Sequence, residues 1–273
     1  MADNYQIYLI SDSTGETLDR IFLSLKAQFP NFSYKTHQYS FVRTSNQIDK
    51  VLSKCKETKE TIILYTIVDN KIVKYLSDQC SKNKIPCFGV LGNLILSFSK
   101  LLNQEASHKP SGQHAMDEEY YKRMEAIQFT MSHDDGKKIS DISKSDIILL
   151  GVSRTSKTPT SIYLANRGYK TCNIPLIPQQ NLPDRLINNP KISCVVGLIA
   201  EPARLSDVRK NRINSKNENR SSTYTDLEKI ILEIEESKNL FKKYNWPTID
   251  VTRKSVEETA ASVIKIYDIM NDK

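Results

Sequence analysis

The stretch Asp146–Gly168, DIILLGVSRTSKTPTSIYLANRG, decides how the rest of the chain is read. Ile147 to Leu150 is a short apolar run, the pattern of a buried parallel strand. Gly151-Val-Ser-Arg-Thr-Ser-Lys157-Thr158 follows at once. A helix-compatible segment comes next, with Pro159 in its first turn and Gly168 just past its end. Strand, lysine–threonine loop and helix together form the setting of a phosphate-binding loop. Gly151, Val152, Ser153, Arg154, Thr155, Ser156, Lys157 and Thr158 are the expected nucleotide-binding residues, and the backbone N–H groups from Ser153 to Thr158 can converge on one anion, helped by the positive end of the helix. Lys157 would bring a cation to the outer phosphates, and the Thr158 hydroxyl would take Mg²⁺. Ser156 stands where the pattern G-x-x-x-x-G-K-[ST] has its second glycine. The competing reading is an ordinary turn whose Ser and Thr side chains cap the helix.

Upstream, apolar strands expected at Tyr5–Ile10, Lys35–Val42, Thr61–Val68 and Ile85–Leu91 are separated by helices, the one after Tyr5–Ile10 carrying Leu18, Ile21, Phe22 and Leu25, the others expected at Ser45–Lys56 and Lys71–Asn83. That alternation predicts βαβ units and a parallel sheet whose carboxyl edge carries the ligand loops. Ser11-Asp-Ser-Thr-Gly15 follows the first strand; a second anion site and plain helix capping by Ser13 or Thr14 both remain open there. Gln104–Asp117 reads as a loop, where His108 and His114 lack the company that metal ligands need. Tyr120–Met131 is expected to be a helix with Met124, Ile127 and Met131 facing the core.

His133-Asp134-Asp135-Gly136 is a turn by composition. Phosphoryl transfer also needs a carboxylate to take the acceptor's proton or to hold Mg²⁺, and Asp134 and Asp135 lie a short excursion before the loop strand. After the loop, strands are expected at Lys170–Ile177 and Ile192–Ala200. Glu201 is read either as an acid that supports Mg²⁺ through the groups around the ion or as a helix cap. Arg204, Arg209, Lys210, Arg212, Lys216 and Arg220 form either a solvated face or a lid that clamps phosphoryl groups. Tyr224–Tyr244 should be a helix with Leu227, Ile231, Ile234 and Leu240 inward, and Ser255–Met270 a last helix. The expected class is α/β, a parallel-sheet N-terminal half followed by a P-loop kinase-like α/β C-terminal half. Its expected division is 1–104, a connecting segment 105–145 with the HDDG turn, and 146–273.

Composition sets the limits. The chain has 273 residues, 39% hydrophobic and 26% charged, ordinary for a globular fold. No apolar run reaches the roughly 20 residues that cross a bilayer, and the opening MADNYQIYLISDS lacks a signal peptide's basic region. Five cysteines without a C-x-x-C pair suit reduced cytoplasmic thiols, not a disulfide framework or zinc site. The net charge of +7 suits phosphate-rich ligands or an acidic partner, and no nucleic-acid motif accompanies it.

Across nearly the whole chain, ILLGVSRTSKTPTSIYLANRGYK, HDDG, ISDSTGET and SVEETAASVIKIYDIM resemble the bacterial pyruvate, phosphate dikinase regulatory proteins. The resemblance implies a bifunctional enzyme, acting as a serine/threonine protein kinase and as a phosphotransferase. ADP would be the phosphoryl donor to a threonine of the dikinase, inactivating it, and inorganic phosphate would reverse this and release pyrophosphate. Mg²⁺ is expected beside ADP. Asp134 or Asp135 would activate the threonine in one direction and phosphate in the other, with Lys157 neutralising charge. A sister group acts on phosphoenolpyruvate synthase, and small-metabolite kinases share the layout. The expected partner is the dikinase, without nucleic acid or membrane, in the cytoplasm; a homodimer is left open.

Overall fold

A computed structural model describes residues 5–112, 118–178, 180–189, 191–216 and 224–271. The chain divides into two compact units, Met1–Ala115 and Met116–Lys273. The first runs β1 (Tyr5–Ser11), α1 (Glu16–Lys26), β2 (Tyr34–Tyr39), α2 (Ser45–Lys56), β3 (Thr61–Thr66), α3 (Asn70–Lys82), β4 (Cys87–Gly89) and α4 (Gly92–Leu102). Its strands are all parallel, in the order β2-β1-β3-β4. Residues 113–117, which include His114, lie outside the described residues.

The second unit begins with α5 (Glu118–Ser132) and a 3-10 turn at Asp134–Gly136. Then come β5 (Ile147–Gly151), α6 (Lys157–Ala165), β6 (Thr171–Pro175), α7 (Asp184–Asn188) and β7 (Cys194–Ile199). It closes with α8 (Pro202–Lys216), α9 (Leu227–Lys243), β8 (Thr248–Asp250) and α10 (Val256–Met270). Its sheet is also parallel, ordered β6-β5-β7-β8. The α/β class with parallel strands is therefore as expected.

The apolar run Ile147–Leu150 works because β5 is central. With β6 on one side and β7 on the other, both its faces are covered and all four side chains are fully buried. Each such burial stabilises by roughly 1.5–3 kcal/mol. Two core clusters share the strand: Ile147 and Leu149 pack toward Leu164, Ile230 and Ala260, while Ile148 and Leu150 pack toward Ile142, Phe241 and Trp246.

Several helix faces differ from expectation. In α5 the buried positions are Ala126 and Thr130, whereas Met124 and Met131 are exposed. Thr130 is turned inward because its hydroxyl accepts the Thr171 N–H at 3.0 Å, docking α5 on β6. In α9 the core face is Ile230, Ile234 and Phe241; Leu227 and Ile231 point outward. Gly197 explains the register, since a Cβ there would lie 2.5 Å from the Phe241 ring. The strand expected at Ile85–Leu91 shortens to three residues, and α4 follows it unforeseen.

Candidate active site

Gly151 ends β5 under a steric constraint. A Cβ there would meet the Leu198 carbonyl oxygen at 2.6 Å and Thr155 Oγ1 at 2.7 Å. The chain then turns through alternating backbone conformations: Arg154 and Ser156 have φ of 74° and 59°, while Ser153 and Thr155 do not enter the positive region. Alternation of this kind turns successive N–H groups toward one concavity, the nest that binds anions. Among the described residues, none of the N–H groups from Ser153 to Thr158 donates to a protein acceptor. The N-cap of α6 is Ser156 itself, in the left-handed region and without a side-chain cap bond. The capping alternative is thus not what the loop does. Ser156 adopts the conformation that glycine takes most cheaply, at a cost of about 1–2 kcal/mol.

Lys157 is folded into this loop. It is only 6% exposed, and its Nζ donates to the Val152 carbonyl at 3.0 Å, beside Thr155 Oγ1, which donates to the same oxygen at 2.9 Å. Burial lowers the ammonium to about 8, partly opposed by the carboxylates of Asp135 and Asp134. The cation is therefore held at the floor of the loop, close to both acids.

The acidic turn reaches the loop through one specific contact. Thr158 Oγ1 donates to Asp134 Oδ1 at 2.9 Å, and Asn173 Nδ2 donates to the same oxygen. Asn173 also accepts the Asp135 N–H at 3.1 Å, so one buried side chain on β6 fixes both acids. Asp135 has φ 52° and is exposed, and no side-chain partner engages its carboxylate among the described residues. His133 anchors the turn beneath, buried and stacked on Phe129 with centroids 3.8 Å apart. Sequence reasoning missed Asn173; its trace was a lone amide inside the apolar strand TCNIP.

Arg209 was also misread. It belongs to neither a lid nor a solvated face: it is 1% exposed, pairs with Glu233 at 2.7 Å, and donates to the carbonyls of Ser153 at 3.3 Å and Tyr224 at 3.1 Å. The guanidinium lies 4.8 Å from the Tyr224 ring centroid. Tyr224 bonds Ser153 Oγ at 2.9 Å and accepts from Arg154 Nε at 3.3 Å. Burial pushes its phenol up, but those hydrogen bonds and the Arg154 and Arg209 charges outweigh this and leave it below the usual value. Arg209 thus ties α8 and α9 to the outer strand of the loop. Arg204 and Lys210 are exposed; the Lys216 side chain and Arg220 lie outside the described residues. Glu201 is exposed, with its N–H on Thr252 Oγ1 at 2.8 Å, and no contact joins it to Thr158 among the described residues. Beside the loop a cleft of about 300 Å³ opens between Val152, Leu176, Pro178, Glu233 and Tyr244.

Comparison with known proteins bears on the whole chain. The sequence model of a family described as Kinase/pyrophosphorylase matches residues 7–264. A protein of Pelagibacter ubique (strain HTCC1062), named as a pyruvate, phosphate dikinase regulatory protein, is 64% identical over 269 residues, covering 98% of each chain. Proteins of the same name from Chelativorans sp. (strain BNC1) and Rhizobium meliloti (strain 1021) are each 43% identical, over 262 and 263 residues, covering 96% of each chain.

Proposed function

Because the chain belongs to the kinase/pyrophosphorylase family, we propose that it is a bifunctional regulator of a pyruvate, phosphate dikinase. It moves the β-phosphoryl group of ADP to a threonine hydroxyl of that enzyme, leaving AMP. In the opposite sense, inorganic phosphate takes the group from phosphothreonine, giving pyrophosphate and the free hydroxyl. The names of the relatives support the target. The observation that carries the chemistry is the run of amides from Ser153 to Thr158, without a protein acceptor among the described residues, around a buried lysine.

Phosphoryl transfer asks mainly for positioning and charge neutralisation. The loop amides and Lys157 would hold the phosphates, and Arg154 adds positive charge beside them. The nearby cleft is the room for the nucleoside end. Asp134 is committed to Thr158 and Asn173, so it suits metal holding better than proton transfer. Asp135, whose carboxylate has no hydrogen-bond partner among the described residues, is the general base toward threonine and returns the proton in the reverse direction. The donor set fits Mg²⁺, which takes oxygen ligands and binds through one or two carboxylates plus substrate phosphates. Asp134 and the Thr158 hydroxyl would hold it, and when bound it would offset charge on the phosphates. One loop serves both directions, occupied by ADP in one and phosphate in the other. The site of action is the cytoplasm, and no helix among the described residues is long and apolar enough to cross a membrane.

The test is incubation with β-labelled ADP and purified dikinase. Label is expected on a dikinase threonine, with loss of transfer in Lys157→Ala and in Asp135→Asn. Label on a small molecule, label nowhere, or a near-normal rate in Lys157→Ala would refute the reading.

A further inference from the structure

The two sheets share one strand order, and the first has a pocket that the chemistry above does not use. In each unit the first strand lies between the second and the third, so the crossovers leave it in opposite directions. Open parallel sheets bind ligands at that switch point, beyond the carboxyl ends of the strands. In the second unit this place is the loop after β5. In the first it is Ser11–Gly15, where a cavity of about 200 Å³ is lined by Ser11, Asp12, Ser13, Thr17, Thr66 and Lys109 among others.

The lining is polar, buried and incompletely paired. Ser11, Asp12, Ser13 and Thr66 are all buried. Ser11 Oγ accepts from the Ser13 N–H and from Thr66 Oγ1, each at 3.1 Å, which leaves its own proton without an acceptor among the described residues. Ser13 Oγ accepts from Ser111 at 3.0 Å and is left with a free proton in the same way. Asp12 is 3% exposed; its Oδ2 accepts the Val68 N–H at 2.7 Å, and apart from the residue's own amide no further donor reaches its carboxylate among the described residues. Neither Ser13 nor Thr14 caps α1, contrary to one of the two readings left open. The N-cap is Gly15 at φ 91°, without a side-chain bond, and the Glu16 and Thr17 N–H groups find no acceptor among the described residues. Buried donors and acceptors left open in this way cost free energy unless a ligand or water completes them.

We propose that this pocket binds a small organic acid that also carries a hydroxyl or amino group. The acidic group sits on the hydroxyls of Ser11 and Ser13 and on the α1 amides, with Lys109 at the rim, and the donor faces Asp12. The cavity, about 200 Å³, is smaller than the cleft of about 300 Å³ beside the C-terminal loop, and a three- or four-carbon acid suits it. The proposal does not depend on the kinase reading.

Calorimetric titration of the full chain with glycerate, glycerol 3-phosphate and acid-free glycerol tests it, with ADP present to occupy the C-terminal loop. One of the two acids is expected to bind saturably, which also tells carboxylate from phosphate, and glycerol is not. Asp12→Asn and Ser13→Ala should each weaken binding about tenfold, while raising the ADP concentration further leaves it unchanged. Because Asp12 also holds the Val68 amide, Ser13→Ala decides alone if Asp12→Asn unfolds the unit. No binding of either acid at millimolar concentration, equal binding of glycerol, or binding competed away by ADP and kept in Ser13→Ala would overturn the proposal.

Discussion

Replacing Arg209 with methionine should unsettle the C-terminal unit more than any single change on its surface. The guanidinium makes two contacts to Glu233, at 2.7 and 3.3 Å, and one each to the carbonyls of Tyr224 and Ser153. Methionine fills much of the volume but leaves the Glu233 carboxylate, 17% exposed, without its counter-charge. Breaking a buried pair from one side costs about 3–5 kcal/mol, because the remaining charge stays desolvated. At roughly 2–4 °C per kcal/mol for a unit of this size, the melting point should fall by about 6–20 °C. Tryptophan fluorescence is the assay, since the sole tryptophan, Trp246, is buried in that unit and reads its unfolding alone. Glu233→Met added to Arg209→Met should recover most of the loss, as apolar replacements of buried ion pairs are often neutral. The double variant still lacks the tether to Ser153, so it should bind ADP more weakly than wild type while melting near it. A melting point for Arg209→Met within a degree or two of wild type would refute the bracing role, as would a double variant no more stable than the single one.

Lys157 makes a pH prediction. Burial holds its ammonium at about 8 against 10.5 in the unfolded chain. Between those values the unfolded chain binds more protons, so this group makes the unit more stable as pH rises through that window. Affinity for inorganic phosphate should instead fall as pH passes about 8, and in Lys157→Met both trends should flatten, read by fluorescence melts and calorimetry across pH. Ser156→Gly should keep ADP affinity and stability within about 1 kcal/mol, because glycine accepts φ 59° freely; Ser156→Val should lose both, a β-branched residue being least suited there. Gly151→Ala should abolish ADP binding and destabilise the unit by about 1–3 kcal/mol, since its methyl meets a backbone carbonyl. Asp134→Asn should raise the Mg²⁺ concentration needed for half-maximal transfer, whereas Asp135→Asn should lower the rate at saturating Mg²⁺.

What local chemistry determines was readable along the chain. Ile147–Leu150 is an unbroken apolar run because a strand between two neighbours has no polar face. The loop from Gly151 to Thr158 was readable for the same reason: its course is set by the backbone between a strand and a helix, and the spacing of Gly, Lys and Thr marks it. Side-chain partners distant in sequence were not readable. Asn173 lies 39 residues from Asp134 and Arg209 lies 56 from Ser153, and only packing of β6 and α8 against the loop brings them together. Nor could periodicity tell that Met124 and Ile231 face outward, since an apolar stripe shows that a helix has a face to bury but not which neighbour receives it. Gly197 and Thr130 decided those rotations, one by leaving room for Phe241 and the other by accepting a strand's N–H. Local propensity follows from a residue and its near neighbours, whereas charge pairing and helix rotation depend on which surfaces the finished sheet presents.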